Sequence, residues 1–223
     1  MGIIEILGIA GSVSLLAGWR LYLCIFATGA AMRWGPLPLP EHLAALDVLA
    51  NPWVMGVAAL AALIELLTDK IAWLDSAWDA VHTLVRPIGG AMLALAIVDP
   101  SDPTTQVIAF ILGGAGALAS HASKAGTRAV INASPEPVSN LAASLAEDVV
   151  IGGSLVLVYA FPAIAALVAV ALLALAIYLA LMARRVIRKL LGRKGRGETV
   201  PVRTAPVSAG DQDAGSNAGP DAG

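Results

Sequence analysis

The hydrophobic pattern of the chain begins with a long apolar run at 3–32. This run contains only two charged residues, Glu5 and Arg20. At 1.5 Å per residue, one helix of this length is longer than a perpendicular bilayer crossing requires. We therefore expect the first helix to tilt, break or protrude, and Gly18-Trp19-Arg20 is the expected place of a break.

Polar breaks divide the following sequence into five more apolar segments. Prolines at 36, 38 and 40 end the first segment, because alternating prolines cannot continue a helix, and Glu41–Ala50 is expected to form a short interfacial helix. Pro52 occupies the position of a helix-starting proline. The acidic segment 99–103 contains two prolines and is typical of a tight loop. The predicted second to sixth spans are 53–68, 75–98, a fourth that starts at 104, 141–160 and 163–182.

The composition agrees with this pattern. The chain is 58% hydrophobic and 13% charged, whereas soluble domains have about 25% charged residues. We therefore predict an all-α polytopic membrane helix bundle of about six spans whose surroundings are the lipid bilayer. No basic region precedes the first apolar run, so we expect that run to be retained and not cleaved. The lone cysteine, Cys24, excludes an intramolecular disulfide.

The character of the sequence changes after the sixth span. Seven Lys and Arg residues lie between 184 and 196, and from 197 the chain is mostly Gly, Ala, Pro, Ser and Asp. Such a segment cannot bury enough apolar surface to fold. We predict a membrane domain at 1–190 and a disordered tail at 191–223. The basic cluster places the C-terminus in the cytoplasm, and it lies beside an apolar segment, so it does not indicate nucleic-acid binding.

A weak internal similarity relates the two halves of the membrane domain. Ala17-Gly18-Trp19-Arg20 resembles Ala125-Gly126-Thr127-Arg128, and the second span of each half carries a pair of acids. Three spans per half would insert a duplicated half upside down, which is a recurring transporter design with interrupted helices. This predicts an inverted 3+3 repeat of 4–98 and 104–183 with interrupted first helices. Chance matching between helices rich in small residues is the alternative.

Several motifs resemble one known family. They are GWR at 18–20, DSAWDAVH at 75–82, KAGTR at 124–128 and SPEPVSN at 134–140. Together they resemble the bacterial membrane family catalogued as domain of unknown function 4126, over about 4–190. The resemblance implies a multi-span protein of the bacterial inner membrane and implies no particular activity.

The third span begins with a stripe of titratable residues. Asp75, Asp79, His82 and Arg86 are spaced 4, 3 and 4, which places them on one helical face. Charged groups in a membrane helix are costly unless they face protein or water. One interpretation is a structural ion-pair ladder in which Asp75 is an N-cap. The other is a path for a solute or proton, with His82 able to titrate near neutral pH. Pro87 and the glycines after it are expected to disturb this helix.

Other charged residues lie within or beside the apolar segments. Arg20 is far from both ends of its span and is expected to pair with Glu65 or Asp69, whereas Arg128 is expected to reach the nearest interface. Glu147 and Asp148 point about 100° apart on a helix, so at most one of them is expected to join a site. Glu136, between two prolines, is expected either to cap the fifth span, which is the preferred interpretation, or to line the mouth of a site.

Two functional hypotheses follow. The first is a small transporter or permease for a solute, an ion or a proton. The second is a non-transporting scaffold or assembly factor, in which the same charges lock helices together and a second copy of the chain is one partner to consider. The sequence contains no catalytic, cofactor-binding or metal-binding signature, although an intramembrane enzyme of unfamiliar geometry stays open. The candidate site comprises Arg20, Glu65, Asp69, Asp79, His82, Arg86 and Arg128.

Overall fold

The computed structural model describes residues 2–34, 41–69, 71–132 and 137–194. These parts of the chain form α-helices and two 3-10 helices, Glu41–Ala50 and Pro162–Ile164, without a strand. The α-helices are α1 (Ile3–Trp34), α2 (Pro52–Thr68), α3 (Ala72–Ile97), α4 (Pro103–Asn132), α5 (Pro137–Ala160) and α6 (Ala165–Lys194).

The predicted all-α membrane helix bundle is confirmed. Five helices, α1 and α3 to α6, are long and apolar enough to cross a membrane. The sixth, α2, has 17 residues and is about 25 Å long at the helical rise. It is short because its C-terminal end lies inside the bundle. Asp69, just after α2, contacts Ser144, which lies about 10 Å into α5 from Pro137.

The distribution of side chains is the reverse of that in a soluble protein. Large apolar side chains such as Val57, Leu84, Phe110 and Val149 are exposed, while many charged side chains are fully buried. An apolar outer surface is stable in hydrocarbon, where polar groups must be satisfied inside the protein. The bundle is therefore a membrane-embedded protein with a charged interior.

Helix α1 is the centre of the bundle and packs against every other helix. Its predicted interruption is confirmed, because Arg20 has non-helical backbone angles (φ −144°, ψ 85°). Close backbone contact explains two glycines that precede that point. A Cβ on Gly18 would lie 2.2 Å from the Ala117 carbonyl oxygen, and one on Gly8 would lie 2.3 Å from the Ala166 nitrogen.

Local polar contacts define the helix starts that the sequence predicts. Asn51 Oδ1 accepts a hydrogen bond from the Trp53 backbone N–H at 2.9 Å, so α2 begins at Pro52 as expected. In the acidic loop, Asp99 Oδ1 accepts from Ser101 N–H at 2.8 Å, and Asp102 Oδ1 accepts from Thr104 N–H at 3.0 Å. Hydrogen bonds to the ionised form lower the pKa of both carboxyl groups.

The start and the middle of α3 differ from expectation. Asp75 is not the N-cap, because the helix begins earlier, at Ala72, with Ile71 in the capping position. Pro87 does not end the helix, which continues to Ile97. The glycines that follow serve packing. A Cβ on Gly90 would lie 2.5 Å from the Ala117 Cβ.

Some sequence predictions lie outside the described residues. They concern the turn at 133–136, which includes Glu136, and the segment 195–223 of the predicted disordered tail. The inverted repeat stays a prediction. Of the two expected interruptions, the one in α1 is observed, and α4 runs from Pro103 to Asn132 as one helix.

Candidate functional site

The charged interior lies between α1, the end of α2, α3, α4 and α5. All seven residues proposed from the sequence are buried there. Six of them form ion pairs with one another or with neighbours, and His82 has different contacts. The structure adds Lys124, His121, Ser144, Glu147 and Asp148 to the same region.

Arg86 is the centre of one group of contacts. Its Nη2 lies 2.5 Å from Glu65 Oε1, and its Nη1 lies 3.0 Å from Asp79 Oδ1. Asp79 and Arg86 are two helical turns apart on α3, whereas Glu65 comes from the last turn of α2. The planar guanidinium holds both carboxylates at once. This pairing is what permits an arginine to be fully buried, since an unpaired charge in a membrane interior costs at least about 2.5 kcal/mol.

His121 extends this group into α4. Arg86 Nη1 donates to His121 Nδ1 at 2.5 Å. Because a guanidinium can only donate, Nδ1 accepts and the ring proton is on Nε2. Nε2 lies 3.1 Å from Thr83 Oγ1, which in turn donates to the Asp79 carbonyl at 2.9 Å. His121 is thus held as a neutral imidazole with both nitrogens bonded.

Asp69 is the centre of a second group. Its Oδ2 accepts from Arg20 Nη2 at 2.7 Å, from Arg128 Nη2 at 3.1 Å and from Ser144 Oγ at 3.1 Å. The predicted pairing of Arg20 with Asp69 is therefore confirmed. The expectation that Arg128 reaches the interface is wrong. Arg128 is buried and also lies 3.1 Å from Glu147 Oε2, because acids just after α2 and on α5 meet it inside the bundle.

Lys124 links the two groups. Its Nζ lies 3.4 Å from Glu65 Oε1, 3.9 Å from Asp69 Oδ1 and 3.9 Å from Glu147 Oε2. Lys124 and His121 are not among the site residues predicted from the sequence. The signal that could have found them is their spacing of 3 and 4 with Arg128 on α4, the same pattern that singled out the stripe on α3.

Both acids of α5 join the network, so the expectation that only one would do so is wrong. Asp148 Oδ1 lies 2.7 Å from Arg20 Nε, and Glu147 Oε2 lies 3.6 Å from Arg20 Nη2. Adjacent side chains on a helix diverge by about 100°. Arg20 bridges that divergence because two different nitrogens of its guanidinium, Nε and Nη2, contact the two carboxylates.

His82 lies in an aromatic environment. It stacks on Trp78 with ring centroids 4.3 Å apart and meets Tyr22 edge-on at 5.5 Å. Its Nδ1 lies 2.7 Å from the Trp78 carbonyl, so this nitrogen is the donor, and Nε2 lies 3.0 Å from Tyr22 Oη. These contacts separate His82 from the ion pairs of Asp79 and Arg86, although all three lie on the same buried face of α3.

Three cavities lined by described residues border the charged interior. A cavity of about 270 Å³ between α3 and α4 is lined in part by Asp75, Asp79 and Arg128. A cleft of about 340 Å³ on α1, between α2 and α5, ends at Arg20 and Asp148. A third cavity, of about 220 Å³, includes Lys124 and Glu147 in its lining. Within the described residues, no group of three or more His, Cys, Asp or Glu side chains is arranged to hold a metal ion.

The apolar exterior, the membrane-length helices and the ion-paired interior define a polytopic membrane helix bundle. Comparison with protein families identifies it further. The chain belongs to the family described as domain of unknown function 4126, which matches residues 7–181. That match covers most of the described helices and confirms the resemblance seen in the motifs. Neither the curated proteins nor the solved structures contain a significant match to the chain.

Proposed function

We propose that the protein transports a small solute or ion across the bacterial inner membrane, and that the ion-paired interior is its binding site. One observation carries the proposal. Arg128 lines the cavity between α3 and α4, Arg20 lines the cleft between α2 and α5, and both arginines bind the same oxygen of Asp69. Two openings thus approach a single carboxylate from different sides of the bundle.

Two buried arginines each have more than one carboxylate partner, as a binding site that changes conformation during transport requires. Arg20 has carboxylates of Asp69, Glu147 and Asp148 within 4 Å, and Arg128 has Asp69 and Glu147. Leaving a buried charge unpaired is strongly destabilising. An arginine with several partners can release one carboxylate to a solute while keeping another. The network therefore supports exchange of partners without an isolated charge.

The arrangement also supports the inverted repeat. Arg20 and Arg128 occupy the matching motif on the first helix of each half. Asp69 follows the second helix of the first half, Glu147 is on the second helix of the second half, and both arginines contact both acids. A two-fold axis in the membrane plane would exchange the members of each pair, as in transporters with a site at the repeat interface.

The same proposal includes an orientation. Six crossings place both termini on one side of the membrane. The basic residues at 184–194 favour the cytoplasm for that side. In this orientation the acidic loop at 99–102 faces outward, and the cavity beside Asp75 opens near the cytoplasmic end of α3.

Accessibility of the α3–α4 cavity provides a first test. In a background in which Cys24 is replaced by Ala, Ala80→Cys places a thiol in the lining of the cavity. Ala94→Cys, on the same helix, places one at a buried position and is the matched control. We expect a membrane-impermeant thiol reagent to label position 80 and not position 94. Absence of labelling at 80 in folded protein from either side would contradict a water-filled entrance.

Flux provides the second test. Purified protein is reconstituted into vesicles and assayed with a panel of small cations, anions, zwitterions and protons. We expect Asp69→Asn to abolish the flux, because the shared carboxylate no longer balances two arginines. Asp102→Asn, in the exposed loop, should leave it unchanged. If the wild-type protein moves nothing in the panel and position 80 is inaccessible, the transport proposal is wrong.

The scaffold hypothesis has its own supporting observation. Within the part of the chain that the structure describes, each basic side chain of the interior, Arg20, Arg86, Lys124 and Arg128, lies within 4 Å of at least one carboxylate. An interior in which every basic side chain is paired can hold the helices together without binding a solute. The basic end of α6 would then contact anionic lipid. In that case Asp69→Asn would lower stability, and no solute would cross the membrane.

A further inference from the structure

The cleft between α2 and α5 has an apolar wall and a charged end. Both helices pack on α1. The wall on the α2 side is formed by Ala59, Ala62, Leu63 and Leu66, and Leu23 and Phe26 form the floor. The end is formed by Arg20 and Asp148, whose Nε and Oδ1 atoms lie 2.7 Å apart. A molecule that fills this space must combine an apolar body with a polar group.

The cleft opens toward the lipid. Leu63 on its wall is 52% exposed, and in a membrane bundle such apolar exposure faces hydrocarbon. On the opposite wall, a Cβ added to Gly152 would meet no atom within 4 Å, so the space beside this glycine is empty. The occupant can therefore enter sideways from the bilayer, and small residues leave room for it.

The charge that is accessible at the end of the cleft is negative. Asp148 and Arg20 form an ion pair there, and Asp148 is 31% exposed whereas Arg20 is 2% exposed. A molecule in the cleft therefore meets the carboxylate and not the guanidinium.

We propose that this cleft binds an amphiphilic monocation, with its ammonium or similar group on Asp148 and its apolar body between α2 and α5. This inference rests on the proposed function and names its substrate class. A carboxylate beside hydrocarbon is stabilised by an opposite charge that arrives with it. An anionic headgroup would be repelled by the exposed carboxylate, and a neutral chain would leave the exposed part of that carboxylate without a polar partner.

The test is a binding measurement that needs no transport. Wild-type protein in phosphatidylcholine nanodiscs is titrated with radiolabelled dodecyltrimethylammonium, and binding to empty nanodiscs is subtracted. We expect saturable binding at one site per chain. We expect Asp148→Asn to weaken it by about tenfold or more, the effect of losing one buried charge pair, and Asp148→Glu to retain most of it. Neutral dodecanol and anionic dodecanoate should not compete.

Two adjacent glycines provide a matched pair of steric variants. At both Gly152 and Gly153 an added Cβ would meet no atom within 4 Å. Gly152→Leu places its side chain in the cleft, whereas Gly153→Leu lies outside the cleft lining. We expect the first to weaken binding by about tenfold and the second to change it by less than about twofold, the range of a neutral surface substitution. Both proteins should unfold at the same temperature.

Three results would overturn the inference. Equal competition by dodecanol, with no effect of Asp148→Asn, would show that the cleft holds only a lipid chain. A loss of dimer mass in Gly152→Leu would show that a second copy of the chain occupies it. No saturable binding by folded protein would show that it holds no amphiphilic cation. Binding without flux would contradict the transport proposal alone, and flux of another solute without this binding would contradict the inference alone.

Discussion

Replacement of Glu65 by Gln tests whether the buried ion pairs hold the bundle together. Glu65 is completely buried, and its Oε1 lies 2.5 Å from Arg86 Nη2 and 3.4 Å from Lys124 Nζ. Glutamine keeps the shape and the hydrogen-bond acceptor but removes the charge. Asp79 would then be the one carboxylate left to Arg86, and the carboxylates left to Lys124 would both lie 3.9 Å away.

The size of the effect follows from burial and from the remaining partners. Removing one member of a buried charge pair lowers the free energy of unfolding by about 3–5 kcal/mol. Because glutamine retains the hydrogen bond, we expect a decrease near the lower end, about 3 kcal/mol. Asp148→Asn is the comparison. Asp148 is 31% exposed, and Arg20 keeps Asp69 at 2.7 Å, so the expected loss is about 1 kcal/mol or less.

The assay is reversible unfolding in mixed micelles, followed by the helical circular dichroism signal. A second substitution tests the cause. If the unbalanced positive charge destabilises the Glu65→Gln protein, adding Lys124→Met should recover about 1–2 kcal/mol, a coupling within the range for residues in direct contact. Equal decreases in the free energy of unfolding for Glu65→Gln and Asp148→Asn would refute the reasoning. So would a Glu65→Gln, Lys124→Met double variant that is less stable than either single variant.

Three further predictions concern packing, His82 and orientation. Gly18→Ala should prevent stable folding, because a Cβ there would lie 2.2 Å from the Ala117 carbonyl oxygen, while Gly56→Ala, where a Cβ meets nothing within 4 Å, should be tolerated; protease resistance in micelles separates the two outcomes. His82→Ala should abolish flux in folded protein if the proton path passes through the aromatic pocket, and retention of full flux would assign His82 to packing. Reporter fusions at Ser101 and at the C-terminus should read opposite sides of the membrane, and the same side for both would exclude the six-crossing topology.

The sequence alone determined the features that depend on local physics. Apolar length predicted the spans, and the glycine and arginine in one long apolar segment predicted the interruption at Arg20. Pro52 and the acidic loop marked helix starts, because a missing N–H or a carboxylate at a helix start acts through neighbouring residues only. The inward stripe of α3 was predictable as well, since charged side chains in a membrane helix must face protein or water.

Only the tertiary structure decided which charges meet. Lys124 and His121 entered the network because α4 packs against α3 and the Lys124 side chain reaches Glu65 in the last turn of α2. Asp148 joined it because the Nε atom of Arg20 lies against α5. His82 shares a helical face with Arg86 and still lies among aromatic rings. Pairing depends on the depth and rotation of several helices at once, and these are set by backbone contacts such as that of Gly18 with Ala117. Residue spacing along one helix cannot contain that information.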